Sequence, residues 1–281
     1  MMDGKENEPL IYNSERNDSE AYRLKKNFYV MCIAFSANHG CVVACLAYAS
    51  TELGDLMGGY GGGNILFITM STSRSPICST GALYVCYSIA SFLFSKPVIS
   101  MVGPRNGLIV GVGGYCVYVA GFLVAVVLPA VRWPAFLIAA SIGGMAGGFL
   151  WTAQGRYFSR NALLYSTATD TPLQEVNSNF AGIFATCYLG LECITKVLAT
   201  LIFLSMPSKA PAVIFTIYTA IAFLATFAIT RLDELGDLGT WDFDTDVIRK
   251  NTVSTGRLMY SDVRLSLLIP FQVHTLLLRT R

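Results

Sequence analysis

Long apolar runs recur along the chain at lengths that suit membrane-spanning helices. A helix needs about 20 mostly apolar residues to cross about 30 Å of hydrocarbon. The stretches that meet this requirement are 28–50, 79–100, 107–129, 133–153, 179–205 and 211–230. A seventh apolar stretch, 264–281, begins in the same way but is too short to span comfortably. The pattern predicts an all-α integral membrane protein with six transmembrane helices and the start of a seventh.

The polar segments between these runs set the expected domain organisation. We expect a tail over 1–27, a six-span membrane domain over 28–230, a loop over 231–263 and a truncated seventh span over 264–281. The tail starts without an apolar core, so no cleaved secretory signal is expected. Most basic residues of the predicted loops fall on the side of the tail. Since cytosolic loops are enriched in Lys and Arg, the N-terminus is predicted to be cytosolic.

Composition strengthens the membrane assignment and argues against several function classes. The chain has 53% hydrophobic and 14% charged residues, whereas soluble domains have about 25% charged residues. Its formal net charge of +2 gives no indication of a nucleic-acid partner. The sequence contains no metalloprotease, phosphate-loop or nucleophile-elbow string. We therefore predict a protein that is not an enzyme and needs no cofactor or metal.

Polar residues inside the predicted spans are the first functional candidates. Glu192 and Lys196 lie four residues apart near the middle of span five, which is the spacing of an ion pair on one helix face. Asn38 and His39 lie at mid-depth in span one. Charged groups in hydrocarbon are costly unless they are paired or hydrated, and they often mark function. Two interpretations follow: these residues line a polar path, or they form a packing pair that fixes the helices.

Glycines at four-residue spacing predict close helix packing. Lipid tails are as apolar as Leu, so helices in a bilayer associate through small residues that let their backbones approach. Such pairs occur in spans three and four as Gly107 with Gly111, Gly143 with Gly147 and Gly144 with Gly148. The spacing favours a tightly packed bundle.

The end of span four carries a polar and aromatic motif, LWTAQGRYFSRNA. The motif residues of interest are Trp151, Gln154, Gly155, Tyr157 and Asn161. We expect Trp151 and Tyr157 to lie at headgroup level, where amphipathic rings are enriched. The two arginines of the motif are expected to meet anionic lipid.

This motif is similar to the signature at the end of the fourth span in the uncoordinated-93 family. That family is a branch of the major facilitator superfamily and is described as ion channel regulatory proteins. Gly103, Pro104 and Arg105 in the tight connection between spans two and three resemble the same family, as does YSDVRLSLLIP at 260–270. The resemblance implies the N-terminal half of a twelve-span fold, built from two six-helix halves around a central cavity.

The same resemblance implies a function and its alternatives. It points to a multi-pass membrane protein that regulates or escorts a channel or receptor through helix contacts. The alternative is a secondary transporter of a small solute by alternating access, with Glu192, Lys196 and His39 along its path. A third hypothesis is a truncated product with no independent activity. Expected partners are the lipid bilayer and a channel or receptor subunit, or a second copy that completes the bundle.

A short string in the tail bears on localisation. ENEPLI places Glu6 four residues before Leu10 and Ile11, the pattern of an acidic dileucine sorting signal. The expected location is therefore the plasma membrane or an endosomal or vacuolar membrane.

Overall fold

The computed structural model describes residues 8–52 and 79–235, and these residues fold into helices without a strand. In chain order the helices are α1 (Glu8–Glu52), α2 (Ser79–Ile89), α3 (Ser95–Val127), α4 (Arg132–Thr169), α5 (Leu173–Ser205) and α6 (Ala210–Thr230). A π-helical turn, Ala90–Phe94, joins α2 to α3. The predicted all-α class is confirmed. The predicted seventh span, 264–281, lies outside the described residues.

Several helical segments are long and apolar enough to cross a membrane. Within the described residues they are Asn17–Ala47, Pro97–Val127, Pro134–Thr169, Leu173–Ser205 and Ala210–Thr230. These five segments bear out the prediction of an integral membrane protein. The predicted second span, 79–100, corresponds instead to a shorter apolar segment, Ala82–Phe94. The count of six spans is therefore not confirmed.

Gly103 interrupts α3 at the predicted connection between spans two and three. Its φ of 79° and ψ of 160° are not helical, and glycine adopts a positive φ without the steric cost that a side chain would add. Pro104 follows directly and has no backbone N–H to donate. The chain can therefore change direction here, and the packing of the neighbouring helices shows that it does.

Glycines bring α3 and α4 into close contact. A Cβ atom on Gly111 would lie 2.7 Å from the Cβ of Leu150, and one on Gly121 would overlap Ala139. Residue numbers in α4 fall as those in α3 rise, so the two helices run antiparallel. The close approach predicted from the glycine spacing is confirmed for this pair.

The other side of α4 packs against α2 in the same way. A Cβ atom on Gly148 would lie 2.7 Å from the backbone nitrogen of Ser91, and one on Gly144 would overlap the carbonyl oxygen of Leu83. Here the residue numbers rise together, so α2 and α4 are parallel. Because α4 is antiparallel to the main part of α3, α2 and that part of α3 run in opposite directions. The reversal falls at Gly103.

α1 lies at the centre of the described bundle, whereas α5 lies at its edge. In the most apolar window of each helix, 67% of the residues are buried in α1 and 11% in α5. α1 contacts α3, α4, α5 and α6, while α5 packs chiefly along α1. Large, fully buried side chains come from several helices and include Phe28, Phe35, Tyr118, Phe122, Tyr157, Phe215 and Tyr218. This arrangement leaves most of the α5 surface outside the core.

Candidate functional site

Asn38 connects three helices in the middle of the bundle. Its side chain is fully buried, and its Nδ2 donates hydrogen bonds to the carbonyl oxygens of Val112 and Ala222, each at 3.3 Å. These acceptors belong to α3 and α6. A buried amide in hydrocarbon needs such partners, so the geometry favours a packing role for Asn38.

His39 points away from those contacts and lies against α5. Its Nε2 is 2.7 Å from the hydroxyl oxygen of Tyr188. Its ring is surrounded by aromatic side chains, with centroid distances of 5.0 Å to Tyr188, 5.4 Å to Trp151 and 6.0 Å to Tyr115. His39 and these three aromatic residues are called the His39 cluster below. The buried Nδ1 of His39 has no hydrogen-bond partner among the described residues.

Glu192 and Lys196 form the predicted ion pair on α5. The Nζ of Lys196 lies 2.5 Å from the Oε1 of Glu192, and their side chains are 47% and 21% exposed, respectively. Tyr188 lies one helical turn before Glu192, so α5 presents Tyr188, Glu192 and Lys196 along one strip. The structure thus brings His39, through Tyr188, near the ion pair. Asn38 lies apart from this strip.

Sequence reasoning missed the aromatic members of the His39 cluster. Tyr188 precedes Glu192 by four residues, a spacing that places both on one helix face, and this signal could have identified it. The sequence predicts Trp151 at the membrane interface, whereas in the structure its ring contacts Phe35, His39 and Tyr188. No spacing within one helix could have shown these contacts, because they join α1, α4 and α5.

The rest of α5 presents an apolar face with small residues. Leu189, Ile194, Val197, Leu201 and Leu204 are exposed. On the same helix, Gly182, Thr186 and Gly190 are exposed at four-residue spacing. A Cβ atom on Gly182 or Gly190 would meet nothing within 4 Å. This exposed surface is called the α5 face below.

The part of the span-four motif that follows Trp151 lies beside the N-terminal part of α1. Asn161 is fully buried, and its Nδ2 donates to the carbonyl oxygen of Leu24 at 3.1 Å. The hydroxyl of Tyr157 donates to the carbonyl oxygen of Asp233 at 3.2 Å. Tyr157 is fully buried, so its expected place at headgroup level is corrected: the ring fills the core and the hydroxyl reaches a backbone carbonyl.

Arg105 of α3 contacts the segment after α6 that also accepts the hydrogen bond from Tyr157. Its Nε donates to the carbonyl oxygen of Leu232 at 2.6 Å and its Nη2 to that of Thr230 at 2.8 Å. These carbonyls lie at and just beyond the C-terminus of α6, where unsatisfied carbonyls need donors. Asn27 donates to the carboxylate of Asp233 at 3.0 Å. The motif residues and the predicted connection therefore meet around residues 230–235.

The remaining predicted residues are placed as follows. Gln154 is buried, whereas Gly155 is exposed with no atom within 4 Å of a hypothetical Cβ. Glu6 of the predicted sorting signal lies outside the described residues, and for Leu10 and Ile11 the structure describes only the α1 backbone. The sorting signal stays a prediction.

Comparisons with known proteins agree with this architecture. The sequence profile described as "Ion channel regulatory protein UNC-93" matches residues 72–277. The chain is also similar to UNC93-like protein 3 of Arabidopsis thaliana, with 30% identity over 132 residues. That match covers 45% of this chain and 26% of the relative, so the chain corresponds to only a part of the relative's length. Because the profile matches most of the sequence, the chain belongs to the UNC-93 family.

Proposed function

For this member of the UNC-93 family, we propose a role as a regulatory or escort subunit that binds a channel or receptor inside the membrane. The family description names regulation of ion channels rather than catalysis. We further propose that the α5 face makes the contact with the partner. The observation that carries this proposal is the Glu192–Lys196 ion pair at the margin of that exposed face.

The ion pair argues that lipid does not cover this part of α5. A charged side chain at the centre of a membrane helix costs about 2.5–3.5 kcal/mol in insertion measurements. Pairing reduces this cost, but the Lys196 side chain remains about half exposed. Such residues in membrane proteins usually face protein or a water-filled cavity rather than lipid. A partner helix over the α5 face would supply that cover.

The small residues on the α5 face support a helical partner. Gly182, Thr186 and Gly190 form a strip that allows another backbone to approach closely. Thr186 donates to the carbonyl oxygen of Gly182 within its own helix, so its hydroxyl adds no bulk that projects far from the helix. Exposed Leu189 and Val197 flank this strip and would contribute packing area to the partner.

The test is to express the full chain with a panel of ion channels in cells and to measure current density and channel co-purification. Gly190→Ile, which places a branched side chain on the strip, should reduce both readouts together for a channel that responds. Thr216→Ile is the matched control, because Thr216 is exposed on α6 and bonds only within its own helix. Retention of both readouts in Gly190→Ile would contradict the proposed contact surface.

One observation favours the alternative, a secondary transporter. His39, Tyr188, Glu192 and Lys196 connect α1 to α5 through polar groups, which is the kind of chain that can line a solute or proton path. Under this alternative, uptake of a solute should depend on a proton gradient and be lost in Glu192→Gln. Channel regulation that persists in cells with no change in solute flux would argue against it.

A further inference from the structure

Trp151 lies between a cavity and the buried ring of His39. The cavity has a volume of about 1220 Å³, and its walls come from the connection around Gly103, from the C-terminal half of α4 and from residues 234–235 after α6. Trp151 lines this cavity. The same indole packs edge-on against the imidazole of His39, with 5.4 Å between the ring centroids. A single side chain therefore separates the cavity from the ring of His39.

The cavity side of Trp151 is accessible to water. Met101 and Ser159 of the cavity wall are exposed, so the cavity is open to the outside of the protein. Three arginine side chains and Glu234 also line it, and charged groups in membrane proteins usually face protein or water rather than lipid. The predicted topology places this end of the bundle on the cytosolic side. The expected source of water at the indole is therefore the cytosol.

The other side of Trp151 is buried. His39 is 9% exposed, and its ring also packs against Phe35 of its own helix. Its Nε2 is 2.7 Å from the hydroxyl oxygen of Tyr188, whereas its buried Nδ1 has no hydrogen-bond partner among residues 8–52 and 79–235. A buried polar atom without a partner costs free energy, so this nitrogen calls for a functional explanation.

The unpaired Nδ1 suits proton binding. When the Tyr188 hydroxyl accepts a hydrogen bond from Nε2, Nδ1 presents a lone pair to which a proton can bind. Binding converts the imidazole of His39 to imidazolium. The rings of Trp151 and Tyr188 lie within 6 Å of it, and aromatic faces attract a cation at this range.

The groups that act on this proton come from three helices. Tyr115 of α3 and Tyr188 of α5 are ionisable side chains whose rings contact the imidazole of His39, and the contact from α4 is the neutral indole. Glu192 and Lys196 of α5 act on His39 electrostatically. Because these two charges are opposite and paired, they add little net charge to the site. Access of water then decides whether imidazolium forms, since an unsolvated buried charge is costly.

We propose that His39 is a proton-binding site that is reached from the cavity and that Trp151 is its gate. With the indole in place, the imidazole is buried and neutral. When the indole moves into the cavity, which at about 1220 Å³ has room for it, water reaches Nδ1 and a proton binds. The inference goes beyond the proposed partner contact and does not depend on it, because Trp151 and the cavity lie outside the α5 face.

The test is labelling of the purified full chain in detergent with diethyl pyrocarbonate, which acylates the neutral imidazole nitrogen and releases ethanol and carbon dioxide. The chain has two histidines, His39 and His274, so peptide mass spectrometry reads His39 separately. Labelling of His39 should be slow in the wild type. Trp151→Ala should raise its rate by about tenfold or more, because opening the site then costs less free energy. Trp151→Phe, a milder change, should raise it by a smaller factor.

A second substitution shows whether the reagent enters through the cavity. Gly155 lines the cavity, and a Cβ atom at this position would meet no atom within 4 Å, so Gly155→Phe fills cavity space. Combined with Trp151→Ala, it should return labelling of His39 towards the wild-type rate. Ile138→Phe, at an exposed position of α4 outside the cavity wall, should leave the gain intact. Equal gains with and without Gly155→Phe would overturn the route.

Phe122→Ala controls for general loosening of the core. Phe122 is buried among rings of α3, α4 and α6 and lies outside the cavity wall, so its truncation leaves a void elsewhere in the bundle. Labelling of His39 should stay slow in this variant. An equal gain in Phe122→Ala and Trp151→Ala would overturn the gate.

NMR of the full chain labelled with ¹⁵N-histidine tests the proton itself. In Trp151→Ala, the His39 signals, assigned by their loss in His39→Gln, should change from neutral imidazole to imidazolium between about pH 8 and about pH 5. Signals that stay neutral over this range, in a variant whose His39 is labelled rapidly, would overturn the proton site.

Discussion

α4 and α5 both carry glycines at helical spacing, but the surroundings of these glycines differ completely. Gly144 and Gly148 of α4 approach the backbone of α2 so closely that a Cβ atom would overlap it or nearly do so. Gly182 and Gly190 of α5 have no neighbour within 4 Å of a hypothetical Cβ. One sequence feature thus builds an internal interface in α4 and leaves an available surface in α5.

The difference shows which helix surfaces are covered by the protein's own helices and which remain exposed. The contacts of α4 are made by shape, through small residues and backbone atoms, and they are completed within the described chain. α5 packs chiefly along α1, partly through polar contacts, and its outward side has no protein cover among residues 8–52 and 79–235. Small residues on such a side suit a second helix.

The largest expected effect comes from placing equal bulk on the two helices. Gly144→Leu should lower the free energy of unfolding by about 3 kcal/mol, because the new side chain meets the Leu83 backbone and overpacked cores cannot relax fully. Gly190→Leu should change it by no more than about 0.5 kcal/mol, since the site is open. Heat unfolding of the purified variants, monitored by size-exclusion chromatography, measures both changes in stability. Similar losses in both variants would contradict the comparison.

A smaller effect is expected when the polar connection at the centre of the bundle is removed. Asn38→Leu deletes the hydrogen bonds to Val112 and Ala222. Hydrogen bonds between membrane helices contribute about 0.6 kcal/mol each on average, so the loss of two bonds should cost about 1.2 kcal/mol. Asn106→Leu is the matched control, because Asn106 is exposed and donates only to Val102 of its own helix. An unaltered melting temperature in Asn38→Leu would show that the connection contributes little.

A still smaller effect is expected at the contact between α1 and α5. Tyr188→Phe removes the hydroxyl that contacts His39 and leaves the aromatic packing in place. We expect a loss of about 0.6 kcal/mol, measured by the same unfolding experiment. Tyr84→Phe, on an exposed residue of α2, should produce no change. A loss as large as that in Asn38→Leu would mean that α5 is held as firmly as the central helices.

The smallest effect on stability is expected at the ion pair. Glu192→Gln should change the free energy of unfolding by less than about 0.5 kcal/mol, because partly exposed pairs contribute little. Co-purification of a responding channel should nevertheless fall, since the α5 face then presents Lys196 without its carboxylate. Loss of folding together with loss of the channel would indicate a packing pair instead.

Much of the fold could be predicted from the sequence because its signals are local. Apolar runs of spanning length gave the helices, and glycine spacing gave the tight contacts of α4. Glu192 and Lys196 could be paired in advance because four residues make one helical turn. The second span was harder to predict, since a π-helical turn at Ala90–Phe94 interrupts its helix and no composition signal marks that turn.

The site could be predicted only in part because its other contacts depend on tertiary register. Asn38 and His39 are adjacent in sequence, yet they face different helices and have different partners. Tyrosine is typical of the membrane interface, but Tyr157 lies in the core, where the backbone carbonyl of Asp233 accepts a hydrogen bond from its hydroxyl. Neither outcome follows from spacing within one helix. Both require knowledge of how α1 and the segment after α6 lie against α4.

The hydrogen bond from Arg105 to the carbonyl oxygen of Thr230 can form only after both residues have been synthesised. The two residues are 125 positions apart, so the acceptor does not exist when the arginine leaves the ribosome. At about 5–20 residues per second, the arginine waits about 6–25 s for its carbonyl. During that interval water must solvate the guanidinium at the membrane surface. Arrival of the C-terminus of α6 then replaces this water with backbone carbonyl groups.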